Sequence, residues 1–158
     1  MSGRIVIGVD GSAGADAALR WAAAEASLRD ADLEVVHAEF ARRVFLDAYD
    51  DLERAEEDLL ETRVRLARGL APDIKVLTTL CDPPAAEALL RAAQGADLLV
   101  VGSRTLRPIE GFTVGSVSAE CARRARCPVV IVRPDRETAS GDHPTGTPTG
   151  PGEETAGG

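Results

Sequence analysis

The chain has 158 residues, 44% of them hydrophobic, and its 26 acidic residues against 18 Lys and Arg leave a formal charge of −8. That length supports one domain with a real core, and no apolar run reaches the ~20 residues a membrane span needs. The acidic balance disfavours a broad nucleic-acid surface, which requires clustered positive charge, but leaves room for a small, locally positive pocket.

The opening residues, Met1 to Ser12, lack the long apolar stretch of a secretory leader, so a cytoplasmic protein is expected. "RIVIGVD" (Arg4–Asp10) is a Val/Ile run ending at Asp-Gly-Ser and reads as a buried strand entering a turn. "AGADAALRWAAAEASLRD" carries Ala, Leu and Trp21 at helical spacing and ends near Asp30. "DLEVVHAE" (Asp32–Glu39) is the second strand. The long segment after it places Leu46, Tyr49, Leu52, Leu59, Leu66 and Leu70 near one helical face, with acids crowding the other as a solvated surface.

"DIKVLTTL" (Asp73–Leu80) is the third strand, and a helix begins at Pro83 or Pro84, where a missing N–H costs little, and stops at Gly95. "ADLLVVGS" is a nearly unbroken Leu/Val run, the pattern of a central parallel strand covered on both faces. The connection "GSRTLRPIEGFTVGSVS" (Gly102–Ser118) follows, leading into a helix from about Ser116 to Arg126, with Ser116 and Ser118 as candidate caps. "CPVVIV" (Cys127–Val132) is the fifth strand. From 135 to 158 the chain turns to Gly, Pro, Thr and Glu with almost nothing to bury, so the domain is expected over 1–134 and a disordered tail over 135–158.

Strands alternating with helices throughout define a single α/β domain of three layers, a parallel sheet with helices on both faces. Ligands of such sheets sit beyond the carboxyl ends of the strands, where the strand order switches. Asp10, Gly11 and Ser12 fall there, as do His37 to Glu39 and the Gly102–Ser118 connection. A glycine-containing turn running into a helix N-terminus offers unpaired N–H groups to an anion, and Arg104 and Arg107 add charge nearby. The stretch is neither a P-loop nor a dinucleotide fingerprint. Asp10 could accept a hydrogen bond from a nucleoside, bind a metal or cap its own loop. Cys81, Cys121 and Cys127 have no metal or redox spacing, and two histidines, His37 and His143, give a metal site little to work with. No Ser–His–Asp set or acid pair suggests hydrolysis, so a sensor or modulator is expected rather than an efficient enzyme.

Four separated blocks, "IVIGVDGSAGADAALRWAAAEA", "LEVVHA", "ADLLVVGSR" and "GSVSAECARRARCPVVIVRP", occur in the order seen in the universal stress protein family, which the chain resembles from Arg4 to Pro134. The resemblance implies a Rossmann-like five-stranded parallel sheet in the order 3-2-1-4-5. It also implies a homodimer formed through the last strand (Val129–Val132), acting with a protein partner the sequence does not name. In the branch that binds ATP, with Mg²⁺ accompanying the nucleotide, the matching positions are Val9 and Asp10 at the adenosine and Val36 and Ala38 at the base. Gly102, Gly115, Ser116, Val117 and Ser118 match the phosphate loop, and Thr105 occupies its second position. Thr105 stands where that loop has glycine, Pro108 stiffens the segment, and Cys81 stands where many relatives have glycine. These departures favour the second reading, a dimeric member that binds no nucleotide and works through protein contacts. A flavin- or thiol-dependent enzyme on a related scaffold is the third.

Overall fold

The computed structural model describes residues 2–38, 49–82, 84–103 and 115–134, with the side chains of 49–53 excepted. The expected tail, Leu46, Thr105, Arg104, Arg107 and Pro108 lie outside them, as do the side chains of Tyr49 and Leu52. The elements run β1 (Arg4–Val9), α1 (Ala13–Arg29), β2 (Asp32–Ala38), α2 (Tyr49–Leu70), β3 (Val76–Cys81), α3 (Ala85–Ala92), β4 (Leu98–Gly102), α4 (Ser116–Arg124) and β5 (Val129–Val132). All strands pair in parallel in the order β3-β2-β1-β4-β5. The fold class and strand order read from the sequence hold.

Side-chain alternation divides the sheet into two faces. Ile5, Ile7, Val9, Leu33, Val35, Leu98 and Val100 pack with α1 and α2 on one side. Val6, Val36, Leu99 and Val101 pack with Leu89 of α3 and Cys121 of α4 on the other. β1 and β4 are covered on both faces and keep apolar side chains along their middles, which explains their Val/Ile/Leu runs. Each fully buried branched side chain contributes about 1.5–3 kcal/mol. Ala18, Ala22, Ala23 and Ala26 let α1 lie close to the sheet, and all are buried.

Some expectations at element ends change. β3 starts at Val76 rather than Asp73, and β5 at Val129 rather than Cys127, because Pro128 lacks the N–H a ladder needs. Leu70 is exposed at the end of α2, and Trp21 is partly exposed on α1. Neither belongs to the inner stripe. Glu34 is buried in β2 and fully served: Thr79 Oγ1 donates to Oε1 at 2.6 Å and Arg4 pairs with Oε2. This bonding links β1, β2 and β3 on the α3/α4 face, away from the strand ends where ligands gather.

Candidate functional site

The sheet order reverses between β1 and β4, and a cleft of about 460 Å³ opens there beyond the strand ends. Residues at the strand ends and helix starts of two crossovers, β1 to α1 and β4 to α4, contribute to its walls. In the first, Gly11 takes φ 80°, a left-handed conformation that suits glycine. The turn then folds back on itself. Asp10 Oδ1 accepts from the Ser12 N–H at 2.9 Å and from its hydroxyl at 2.5 Å. Ser12 Oγ in turn accepts from the Ala15 N–H at 3.2 Å, capping α1. Bracing its own loop, one of the three roles open to Asp10, is realised in this geometry.

The second crossover differs. α4 begins at Ser116 behind an N-cap glycine, Gly115, and has no acidic residue in its first turn. Neither serine caps the helix. Both lie inside the first turn, past the N-cap position, and Ser118 is buried with its hydroxyl donating to the Gly102 carbonyl at 2.8 Å. Ser116 is exposed.

Gly102 has a packing role. A Cβ there would lie 2.4 Å from the Gly14 backbone, and one on Gly14 would lie 2.2 Å from the Ser103 carbonyl oxygen. Two glycines therefore let the first turn of α1 press against the end of β4, joining the crossovers at the cleft floor.

Of the residues singled out from the sequence, Val9, Asp10, Val36, Ala38, Gly102, Gly115, Val117 and Ser118 line the cleft together. Ser116 does not line it, and neither does Cys81, which packs into the α3/α4 core instead. The sequence reading placed His37 at the ligand end of the second strand without naming it a site residue, and overlooked Glu56. His37 is buried, with Nδ1 2.7 Å from the Val9 carbonyl oxygen and Nε2 against Glu56 Oε2. Glu56 comes from α2, a segment remote in sequence. Its signal was that it falls with Leu52 and Leu59 at i, i+4, i+7 spacing, an acid on the apolar stripe. Arg63, two turns further along α2, holds Asp16 of α1 with Nε–Oδ1 3.0 Å and Nη2–Oδ2 3.1 Å.

The chemistry of the thiols is muted. Burial pushes Cys121 up to about 11 and raises Cys81 as well, so both carry their protons near neutral pH. Among the described residues no group of three His, Cys, Asp or Glu could hold a metal ion, and no helix is long and apolar enough to cross a membrane.

A doubly wound parallel sheet with a cleft at its switch point, walled by a glycine-capped helix N-terminus, is the arrangement in which α/β proteins take small ligands at the strand ends. The universal stress protein family profile matches residues 1–133, and the chain belongs to that family. It is 34% identical over 143 residues to a universal stress protein of Mycobacterium tuberculosis, covering 84% of this chain and 52% of that protein. The chain spans about half the length of the curated relatives it matches. Among solved structures, a universal stress protein in complex with cAMP superposes with a TM-score of 0.61 at 29% identity, over 85% of this chain and 98% of that one. An Arabidopsis thaliana family member with AMP bound shares the fold, with a TM-score of 0.65 at 19% identity over 86% and 94% of the two chains.

Proposed function

We propose that the chain binds an adenine nucleotide in this cleft and acts as a cytoplasmic stress-response sensor or modulator. The observation that carries the reading is the α4 N-terminus, which opens into the cleft behind Gly115 with no side-chain cap and no first-turn acid. Its N–H groups and helix dipole favour a phosphate. Asp10 and Glu56 stand elsewhere on the wall and repel one, which orients the ligand with phosphate toward α4 and nucleoside toward the ends of β1 and β2. The volume lies within the roughly 300–1,000 Å³ range of small-molecule sites. The relatives captured with cAMP and AMP support an adenylate as the ligand class.

ATP is the finer version of this reading. Gly102, Gly115 and Val117 would supply main-chain contacts, with Thr105, Ser116 and Ser118 beside the phosphates. Ser118 would turn its hydroxyl from the Gly102 carbonyl to do so. Mg²⁺ would arrive with the triphosphate, because the cleft's two carboxylates are already engaged: Asp10 with Ser12 and Glu56 with His37. Calorimetry on nucleotide-stripped protein with AMP, cAMP and ATP, with and without Mg²⁺, tests both levels. Micromolar binding of any of these supports the cleft assignment. Millimolar or absent affinity for all of them sinks it.

The edge strand β5 supports a second element, a homodimer. The Pro128 and Val132 carbonyls accept from Leu99 and Ser103, so alternation turns the backbone groups of Val129 and Ile131 to the outer edge. All four β5 residues are only half-buried. An unpaired edge of this kind is a template for a second strand. Ile131→Pro removes an outward N–H without removing a β4 bond, and should shift the protein from dimer to monomer in light scattering. A monomeric parent protein would remove this element.

A further inference from the structure

We propose that Glu56 accepts a hydrogen bond from the 6-amino group of adenine and so selects an adenine nucleotide over a 6-oxo purine in this cleft. α2 delivers Glu56 to the ends of β1 and β2, where it lines the cleft with Val9, Val36, His37 and Leu59. Its carboxylate is held by one oxygen. Oε2 meets Nε2 of His37, and that imidazole is buried with Nδ1 2.7 Å from the Val9 carbonyl oxygen. Among the described residues no hydrogen bond or ion pair engages the other oxygen, Oε1. No buried side-chain oxygen among them lacks a partner, so Oε1 is open to a ligand rather than sealed in the core. Whichever of Nε2 and Oε2 holds the proton between them, Oε1 keeps only lone pairs and can only accept. This end of the cleft therefore presents a fixed acceptor.

Position decides which donor Oε1 meets. The α4 N-terminus follows β4, whereas Glu56 is tied to the end of β2, and β1 lies between those two strands. Two strand spacings amount to about 9–10 Å. A nucleotide with its phosphate at α4 spans that distance, placing its ribose over the end of β1 and its base at the end of β2. The ring nitrogens N1, N3 and N7 of adenine carry lone pairs, and the 6-amino group carries its remaining N–H bonds. An acceptor at the base end therefore meets the amine. Guanine and hypoxanthine carry an oxygen at carbon 6, whose lone pairs oppose Oε1. Val36, Leu59 and Leu89 supply apolar wall around the base position, where a hydrogen bond to a carboxylate is stronger than in water.

This assignment rests on the adenine-nucleotide reading, and the experiment separates the two. Calorimetry compares AMP with IMP and with purine riboside 5′-monophosphate, which has only hydrogen at carbon 6. These ligands share ribose and phosphate and differ at the position Glu56 would read. The parent protein should bind AMP about tenfold or more tightly than the 6-hydrogen analogue, and IMP more weakly still, as expected for a site built to bond an N–H. In Glu56→Ala the advantage of AMP over the 6-hydrogen analogue should shrink to about twofold or less, while the analogue's own affinity stays within about threefold of the parent's. Glu56→Met keeps the stem, removes the acceptor and gives the same comparison if the alanine variant does not fold. Equal affinity of the parent for AMP and the 6-hydrogen analogue overturns the role of Glu56 and leaves the nucleotide reading in place. An AMP advantage that survives the substitution does the same. If the substitution instead abolishes a preference for AMP over 2′-deoxy-AMP and leaves the amine preference intact, Glu56 reads the ribose and the proposal is overturned. Absence of AMP binding to the parent overturns both readings.

Discussion

The two crossovers that meet at the cleft use the same parts to opposite effect. Each leads from a buried parallel strand to a helix N-terminus. After β1, the turn satisfies itself: Asp10 braces Ser12, Ser12 caps α1, and the acid of the first turn, Asp16, is held by Arg63. After β4, the N-cap is a glycine and the first turn has no acid. A helix N-terminus attracts an external anion only where its own chain has not already supplied one. This difference, rather than glycine content, distinguishes the candidate phosphate end from the structural end.

The contrast can be attacked at four points. The largest effect should come where the crossovers touch. Gly102→Val drives a side chain into the Gly14 backbone and should cost about 3 kcal/mol or more in chemical denaturation, above the usual 1–3 kcal/mol of overpacking because backbone cannot repack. Next, Gly115→Asp would make α4 resemble α1 by giving it an internal anion. Adenylate affinity should drop by tenfold or more, while stability rises by about 0.5 kcal/mol from the new cap. Unchanged affinity would show that the α4 terminus is not the phosphate end. Ser12→Ala tests the converse. It should lose about 1 kcal/mol of stability and leave affinity within about threefold, because that cap serves only the protein.

The smallest effect concerns Cys121, buried beneath α4. Its folded thiol is raised from the ordinary value of 9.0 to about 11, so the native state holds the proton more tightly than the unfolded chain does. The stability this contributes is complete below about pH 9 and is lost as pH rises toward about 11. Cys121→Ala should therefore flatten the alkaline limb of a stability–pH curve. An identical limb in both proteins would show that the thiol does not titrate with unfolding.

Much of this contrast was legible in the sequence. The turn Asp10-Gly11-Ser12 stands at a strand end and the pair Gly115-Ser116 at a helix start, both located by periodicity, and the family resemblance added Val9, Val36, Ala38 and Gly102 to the same wall. The serines were harder. Ser116 and Ser118 look alike on paper, yet starting the helix at Ser116 exposes one and buries the other against the Gly102 carbonyl. Gly102 itself reads as a loop glycine until Gly14 is seen packed against it.

Local pattern therefore determined the elements and the place where a ligand would sit, and the family resemblance supplied the strand order. Hydrophobic runs and turn residues act over a few positions and are written into neighbouring letters. Tertiary structure alone decided which polar groups are already spent. Asp16 is taken by Arg63, Glu34 by Arg4 and Thr79, and His37 by Val9 and Glu56, and these partners lie 19 to 47 residues apart. Partnership across such distances depends on how α1, α2 and the sheet pack. Glu56 is one acid among many in its helix until packing brings it against a buried imidazole.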